Sequence, residues 1–521
     1  MYSILGKESD ASRVKLSEGI FEKLNFSFFM SYKQKDFISE LLSCDGDALA
    51  ERQKLFSAID KSSALFEAFE ALAKGAENIA EYRKELRFGT KELSNERMFY
   101  AFRELMYYTE CIDTLLGVAD IIEACDSHAL HSLLQKARDV YSSDWYKNAR
   151  EYISAMDENI KHIRSVSIGI NLDSELRPLE AGIISVNSEP YVTNTVFDKM
   201  FSKKVENKSM ICIAPLGKKE ATLSGTAMRA FDVNLYSALN DYMRGSLKKI
   251  KSVLGNMLDG ACNFLCEICD ELRFIRMGMN YMLAVRSKGM PLCFPAFSDK
   301  LDISGLYNPN LLAEMQSCRI VKNDVHFDEN GRIFILTGPN SGGKSVYLRA
   351  LGIAQILFSL GLPIPAESAA MPLCSEILAQ FSVFTSESGA GRLEGECRAM
   401  AEICSAATEN SLILLDELFS GTSSEDAAII AEKTLEWLSA KNCRVLYATH
   451  IHEIASYADE INKSERSRGK IDFLCASFRA RNAHIKSCAE KEAAEATPWI
   501  FSRNTASVSS RKNRRFLQNE I

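Results

Sequence analysis

The spacing of hydrophobic positions divides the chain into a helical half and an α/β half. From about residue 16 to 163, apolar residues recur every three or four positions and proline is absent, which predicts one helix after another. Around residues 166–172 and again at 182–186 the period shortens to two, so two short strands are predicted. A long helix is predicted for residues 232–285, whose apolar positions are spaced as in a coiled-coil seam.

Proline and glycine reappear together at residues 287–296, which predicts a domain boundary. Beyond it, residues 333–336, 411–415 and 444–448 are short apolar runs, typical of strands that are buried on both faces. The predicted fold class is therefore multidomain, with an all-α helical core and lever followed by an α/β domain.

The first of these apolar runs leads into Gly338-Pro-Asn-Ser-Gly-Gly-Lys-Ser345, which fits the phosphate-loop pattern G-x-x-x-x-G-K-[ST]. Glycines let successive backbone N–H groups curl around an anion, Lys344 can reach the β- and γ-phosphates, and the Ser345 hydroxyl suits Mg²⁺. A chance match in a glycine-rich turn is the alternative, but a predicted strand before the loop and an apolar helix after it favour the phosphate loop. The predicted nucleotide-binding residues here are Gly338, Pro339, Asn340, Ser341, Gly342, Gly343, Lys344, Ser345 and Val346.

Acidic residues end the second apolar run. Asp416 is predicted to hold Mg²⁺ together with Ser345, and Glu417 to orient or deprotonate the attacking water. The third run ends in Thr449-His450, where His450 is a candidate sensor of the γ-phosphate. In isolation, His450 is better explained as an ordinary histidine at a strand end.

Composition restricts the class of protein without naming a function. The 521 residues are enough for more than one domain, and 46% hydrophobic and 25% charged residues are ordinary for a globular protein. A net charge of −7 argues against a surface that binds nucleic acid everywhere, but it allows a basic channel. Fifteen cysteines without a regular framework, no long apolar run and no secretory leader predict a cytoplasmic protein with reduced thiols.

These motifs in this order resemble the ATPase domain of the MutS family, a branch of the ABC-type P-loop ATPases. The resemblance is close over residues 301–459 and rests on GPNSGGKS, GLPIPA at 361–366, SLILLDE at 411–417, GTSSED at 421–426 and ATH at 448–450. It implies ATP hydrolysis with Mg²⁺ at a homodimer interface, with the nucleotide state controlling a DNA-binding clamp. It also implies that Ile320 and Val321 flank the adenine and that Asn340 lies beside the γ-phosphate.

The chain departs from the family's pattern at residues 389–396. Family members carry a Ser-Thr-Phe stretch there, which reaches the partner's nucleotide; this chain reads GAGRLEGE and lacks the serine, with Arg392 as the one cation. The usual contact across the dimer is therefore in doubt. The domain is not expected to be the ATPase of an ABC transporter, because no LSGGQ-like loop precedes Asp416.

Two further groups have simpler explanations than a functional one. Cys262, Cys266 and Cys269 match a spacing that can ligate an iron–sulfur cluster, but they share one face of a predicted helix, so packing is the preferred interpretation. A clamp insertion is expected around residues 165–222, with Lys199, Lys203, Lys204 and Lys208 as candidate DNA contacts, although lysine clusters in loops are usually solvated surface.

Three domains are predicted: a helical core and lever at residues 1–290, an ABC-type ATPase domain at 291–463, and a divergent basic tail at 464–521. The tail has weak periodicity and a basic run at 511–515, so it either binds nucleic acid nonspecifically or is an aberrant end.

Three functions remain open from the sequence. The first is an ATP-gated DNA clamp on branched or unusual DNA, since the family's mismatch-reading module and a nuclease-like Smr domain are both expected to be missing. The second is an RNA- or ribosome-directed ATPase. The third is a nucleotide-binding scaffold with little turnover, which the altered stretch at 389–396 makes plausible.

Overall fold

The structure is a computed structural model that describes sixteen stretches of the chain. They are residues 2–6, 12–26, 35–87, 95–154, 165–175, 178–189, 192–193, 211–212, 263–314, 320–329, 331–339, 343–381, 392–419, 422–450, 454–479 and 482–487. The predictions for Lys199, Lys203, Lys204 and Lys208, for most of the coiled-coil seam and for the basic run at 511–515 lie outside these residues.

The helices of the described residues are α1 (Ile20–Lys23), α2 (Lys35–Leu41), α3 (Gly46–Lys61), α4 (Ser63–Arg87), α5 (Asn95–Gly117), α6 (Ala119–Glu123), α7 (His128–Ser142), α8 (Asp144–Ser154), α9 (Asn263–Glu267), α10 (Cys269–Ser287), α11 (Leu311–Glu314), α12 (Lys344–Ser359), α13 (Arg392–Ala406), α14 (Ser424–Lys441) and α15 (Ile454–Lys463). None of them is long and apolar enough to cross a membrane.

The strands of the same residues are β1 (Lys15–Leu16), β2 (Ser165–Leu172), β3 (Pro178–Asn187), β4 (Val192–Thr193), β5 (Ile211–Cys212), β6 (Ala296–Phe297), β7 (Leu301–Leu306), β8 (Asn323–Phe327), β9 (Ile333–Thr337), β10 (Ser368–Met371), β11 (Glu376–Phe381), β12 (Ser411–Asp416), β13 (Arg444–Ala448), β14 (Ile471–Arg479) and β15 (Asn482–Ser487).

The chain folds into two compact units that are discontinuous in sequence. The first comprises Met1–Ile4, Glu67–Cys125 and Leu130–Arg273, and the second comprises Leu5–Phe66, Asp126–Ala129 and Phe274–Ile521. The domain boundaries predicted at residues 290 and 463 do not coincide with the limits of these compact units. They remain predictions.

The first unit is mainly helical and carries the β2–β3 hairpin. Helices α4 and α5 approach closely at Gly75, where an added Cβ would lie 2.4 Å from the Cys111 sulfur. The predicted strands near 166–172 and 182–186 are present and pair antiparallel as β2 and β3. Since residues 213–262 are outside the described part, the core-and-lever domain stays a prediction.

A seven-stranded sheet forms the centre of the second unit. Its order is β1-β11-β12-β13-β9-β14-β15, and every neighbouring pair is parallel except β14 and β15. Ile413, Val445, Ile333 and Ile471 lie side by side across four strands and are all buried. Such continuous apolar strands, covered by helices, are expected of an α/β fold. This confirms the predicted α/β character of this part of the chain.

The segment Leu5–Phe66 belongs to this second unit and begins with a strand, whereas the sequence predicts helix from residue 16. Lys15 and Leu16 form β1 beside β11, with Lys15 N donating to Ser375 O over 2.8 Å. A two-residue strand has no periodicity of its own, so only its tertiary partner specifies it. In the same region Arg52 lies against Gly361, whose φ of 78° and close contact both require glycine.

The sheet also extends past residue 463, where the sequence places the start of a divergent tail. Ile471–Arg479 pairs with Ile333–Thr337 as a parallel strand, and Asn482–Ser487 adds an antiparallel strand at the edge. Asn462 closes the connection, since its side chain accepts a hydrogen bond from Ile471 N and donates one to Ile471 O. Residues 471–479 and 482–487 therefore belong to the seven-stranded sheet.

The cysteine of α10 packs in the protein interior. Cys269 is buried, and burial raises the pKa of its thiol to about 11, so it stays protonated near neutral pH. Among the residues that the structure describes, no group of three or more His, Cys, Asp or Glu side chains could hold a metal ion. Cys262 lies outside that set.

Candidate functional site

Three predicted motifs meet at the carboxyl ends of neighbouring strands in the middle of the seven-stranded sheet, and this row of strand ends is the edge meant below. Strands β12, β13 and β9 are neighbours and run parallel, with Asp416 beside Ala448 and Ala448 beside Leu336. The residues that follow these strands therefore leave the sheet side by side. In open parallel sheets, ligands bind outside the carboxyl ends of the strands, so this edge is the candidate site.

The segment after β9 has the backbone of a phosphate loop in the residues that are described. Gly338 has a φ of 133°, and a Cβ there would lie 2.8 Å from the Cβ of Ala476 on β14. Gly343 has a φ of 79° and is the N-cap of α12. Both positions therefore need glycine, and α12 begins directly after the loop with its N–H groups available to an anion. Pro339 lies within the described residues, whereas Asn340, Ser341 and Gly342 lie outside them.

Lys344 is the first residue of α12, and its side chain folds back across the loop. The Nζ atom donates a hydrogen bond to Gly338 O over 2.7 Å, although the residue is only 2% exposed. An ammonium group is costly to bury without strong acceptors, so its position indicates a site built for negative charge. This is where the sequence places the contact with the β- and γ-phosphates.

Asp416 ends β12 and is buried beside Ser345. Burial raises the pKa of Asp416, a hydrogen bond with the Ser345 side chain lowers it, and the charge of Glu417 raises it again. The buried Oδ1 atom has no hydrogen-bond partner among the described residues. A carboxylate oxygen without a donor, next to a hydroxyl, is the oxygen pair that Mg²⁺ prefers, so the residues fit this ion.

Glu417 is turned toward the phosphate loop by an unusual backbone. Its φ is 51°, in the left-handed region that non-glycine residues rarely adopt, and its N–H donates to Ala448 O over 2.9 Å. The Oε1 atom lies 3.8 Å from Lys344 Nζ. Glu417 therefore lies beside the predicted γ-phosphate position with part of its side chain open to solvent, as a group that orients water must be.

His450 follows β13 at the same edge. Thr449 is buried and its N–H donates to Leu336 O over 3.1 Å, which ties the end of β13 to β9. His450 itself is exposed, and residues 451–453 are outside the described residues. The backbone brings His450 to the same edge as Asp416 and Lys344, and its role as a γ-phosphate sensor stays a prediction.

The predicted adenine contacts come from the segment before β8. Ile320 is buried and Val321 is partly exposed. Strand β8 is tied to α12 because the Tyr347 hydroxyl donates to Asp324 O over 2.8 Å. The carbonyl of Val346, in the first turn of α12, accepts a hydrogen bond from the Asn308 side chain over 3.3 Å. These contacts anchor the elements around Ile320 and Val321, and the adenine contact itself remains a prediction.

Comparison with known proteins agrees with this geometry. The family model "MutS domain V" matches residues 334–491, which include all of β9 but its first residue, Lys344, Asp416 and the β14–β15 hairpin. Residues 334–491 are therefore a domain of the MutS family. The end of the match at residue 491 also agrees with a sheet that continues beyond residue 463.

The chain is similar to several proteins named "DNA mismatch repair protein MutS". It is 38% identical to that of Prochlorococcus marinus (strain MIT 9301) over 159 residues, which are 30% of this chain and 17% of the relative. It is 36% identical to that of Thermotoga maritima over 163 residues, 31% of this chain and 20% of the relative. With that of Leuconostoc mesenteroides it shares 30% identity over 227 residues, 40% of this chain and 24% of the relative. The matched part thus spans less than a quarter of these MutS proteins.

One buried acid beside this site was not among the predicted functional residues. Glu396 on α13 is 6% exposed, and its Oε2 atom accepts a hydrogen bond from Phe419 N over 2.7 Å. A signal was present in the sequence, because Glu396 falls on the apolar stripe of α13 together with Met400 and Ile403. A carboxylate on such a stripe needs a buried donor.

The stretch that departs from the family pattern is only partly described. Residues 389–391 lie outside the described residues, as does the side chain of Arg392, where α13 begins. The loss of the usual contact across the dimer therefore stays a prediction. Glu394 and Glu396, in the first turns of α13, are described.

Proposed function

We propose that this MutS-family chain binds ATP with Mg²⁺ and hydrolyses it. The observation that carries the proposal is the convergence of Lys344, Ser345, Asp416 and Glu417 at one edge of a parallel sheet. Each has the chemistry that phosphoryl transfer to water requires, and the loop that joins the first two to β9 requires glycine where the pattern has it.

Each of these residues has its own role in the proposed binding and hydrolysis of ATP. Lys344 holds the β- and γ-phosphates by its charge, and the N-terminus of α12 adds backbone N–H donors. Ser345 and Asp416 would hold Mg²⁺, which supplies positive charge to the transferring phosphoryl group when bound. Glu417 orients the attacking water and accepts its proton at the carboxylate. His450 is proposed to contact the same phosphate, and Ile320 and Val321 the adenine.

We further propose that the nucleotide state controls a clamp on DNA, with branched or otherwise unusual DNA preferred over single mismatches. The similarity to proteins named for DNA mismatch repair supports the DNA-binding clamp, and the preference for branched DNA is carried over from the expectation in the sequence. The ABC-type arrangement also supports a homodimer, because such sites are completed by a partner. The clamp residues named in the sequence analysis lie outside the described residues, so this part rests on the family alone.

Steady-state ATP hydrolysis, measured with duplex DNA, four-way-junction DNA and RNA of equal nucleotide concentration, tests the proposal. We expect Mg²⁺-dependent turnover that junction DNA changes more than duplex or RNA does. A change caused by RNA alone would replace the DNA clamp by an RNA-directed ATPase. Absence of turnover under all conditions, with tight ATP binding, would indicate the scaffold that the altered stretch at 389–396 favours.

A further inference from the structure

We infer that Glu396 is a positioning residue for Glu417, whose catalytic role is the one proposed above. The carboxylate of Glu396 holds the turn Glu417–Leu418–Phe419 in the backbone conformation that brings Glu417 beside Lys344. Glu396 does this from α13, an element that contributes no other described residue to the phosphate site.

The contact is buried and direct. Phe419 N donates to Glu396 Oε2 over 2.7 Å, the short distance typical of a hydrogen bond to a charged acceptor. Leu418 and Phe419 are each 1% exposed, so water does not compete for this N–H. A buried carboxylate that accepts from a backbone amide fixes the position of that amide closely, because both groups lose solvation if they separate.

The turn needs such a restraint because its backbone is strained. Glu417 has a φ of 51° and Phe419 a φ of 61°, both in the left-handed region, and neither is glycine. Residues in this region persist where the surrounding structure over-determines them. The turn is held at one end by Glu417 N donating to Ala448 O, and at the other by Phe419 N donating to Glu396. Removing the second restraint lets the turn relax and moves Glu417.

Helix α13 is in turn fixed to the sheet by its apolar stripe. Met400 and Ile403 belong to the same buried cluster as Leu418 and Phe419. A displacement of α13 along its axis would therefore be passed through Glu396 to the turn, and from there to the Glu417 carboxylate. The conformation of the water-orienting residue is thus coupled to the position of α13.

Two conservative variants of Glu396 distinguish a positioning role of its side chain from an effect of its charge. Glu396→Asp keeps the negative charge but shortens the side chain by one methylene, so its oxygens no longer reach Phe419 N. Glu396→Gln keeps the reach and an acceptor oxygen but removes the charge. We expect Glu396→Asp to lower the single-turnover rate of bound ATP by about 10- to 100-fold, the cost typical of a misplaced catalytic group. We expect Glu396→Gln to stay within about threefold of wild type.

Three further measurements complete the test. ATP affinity should change by less than about threefold in both variants, because Lys344 and the loop are untouched. Glu402→Asp is the matched control on the same helix, at an exposed position outside the stretch 389–396; it should leave rate and affinity unchanged. Thermal unfolding monitors the fold of every variant.

The inference is overturned if Glu396→Asp hydrolyses ATP at the wild-type rate. It is also overturned if both variants lose rate and ATP affinity equally, or if Glu396→Gln is the slower of the two, since those results indicate a structural or electrostatic role. Glu417→Gln is measured in parallel. If that variant retains full turnover, the proposed function of Glu417 has failed; if it is inactive while Glu396→Asp is fully active, only the positioning role has failed.

Discussion

At the scale of single residues, the site concentrates charge where burial disfavours it. Asp416 is 7% exposed, with one oxygen that lacks a donor among the described residues, and its pKa is raised chiefly by desolvation. Lys344 is 2% exposed and depends on the Gly338 carbonyl. Such groups lower the stability of the protein without its ligand and become favourable when Mg²⁺ and phosphate bind.

Asp416→Asn should therefore stabilise the ligand-free protein. Because the pKa of Asp416 is higher in the folded than in the unfolded protein, its charge costs stability progressively as pH rises through the raised pKa. Removing the charge should raise the free energy of unfolding by roughly 1 kcal/mol at pH 7, as is common at functional sites. Urea denaturation without Mg²⁺ measures this.

The pH dependence of the free energy of unfolding provides the control for Asp416→Asn. At the lowest pH at which both proteins remain folded, the carboxyl is mostly protonated and the advantage of Asp416→Asn should shrink. An equal advantage at both pH values, or a loss of stability at pH 7, would contradict the account of a desolvated charge at Asp416.

At the scale of elements, strand β14 both extends the sheet and shapes the phosphate loop. Its residues from Ile471 to Cys475 pair with β9, and Ala476 packs against Gly338. The loop therefore depends on a strand more than a hundred residues away in sequence, and a change in either should affect the other.

Gly338→Ala tests this dependence. The new Cβ would lie 2.8 Å from the Ala476 Cβ and 3.0 Å from its carbonyl oxygen, at a φ of 133° that alanine disfavours. We expect a loss of roughly 2–4 kcal/mol in unfolding free energy together with weaker ATP binding. Chemical denaturation and nucleotide titration measure the two effects.

Gly395→Ala is the matched control for this change. Gly395 lies in helix α13, and a Cβ there would meet nothing within 4 Å. It should be neutral or stabilising by up to about 1 kcal/mol, because alanine has the higher helix propensity. If Gly338→Ala behaves in the same way, β14 does not constrain the loop.

The sequence predicted the elements whose own pattern is strong and missed those that depend on partners. Strands β9, β12 and β13 are continuous apolar runs, and glycine marks the loop at Gly338 and Gly343. Strand β1 has two residues, and β14 is specified by its pairing with β9 rather than by periodicity. The left-handed turn at Glu417 contains no glycine, so the sequence does not predict it. The hydrogen bond to Glu396 that supports this turn is visible only in the structure.

At the scale of the whole molecule, assembly follows from the proposed ATP chemistry. If a second copy completes the site, trapping ATP should favour the dimer. We expect Glu417→Gln to be a homodimer by light scattering with ATP and Mg²⁺, whereas Lys344→Ala, which cannot hold the phosphates, should show no nucleotide-dependent change in mass. A Glu417→Gln variant that remains monomeric with and without ATP would contradict the proposed homodimer.

The proposed DNA interaction predicts recognition of shape and charge. A clamp that contacts phosphates should lose affinity steeply with salt, and a single mismatch should alter binding by less than roughly 1 kcal/mol. Competition among homoduplex, single-mismatch and four-way-junction DNA at two salt concentrations measures both effects. Strong preference for the mismatch would contradict the proposed preference for branched DNA.

The central claim is that Lys344, Asp416 and Glu417 form one site that binds and hydrolyses ATP. The most direct test is the identity of the nucleotide retained after incubation with ATP and Mg²⁺ and rapid removal of free ligand. We expect ADP on the wild-type protein, intact ATP on Glu417→Gln, and at least 100-fold weaker retention on Lys344→Ala, since that variant lacks the cation on the phosphates. ADP on Glu417→Gln at the wild-type rate, or normal retention by Lys344→Ala, would contradict the assignment of this edge of the sheet as the active site.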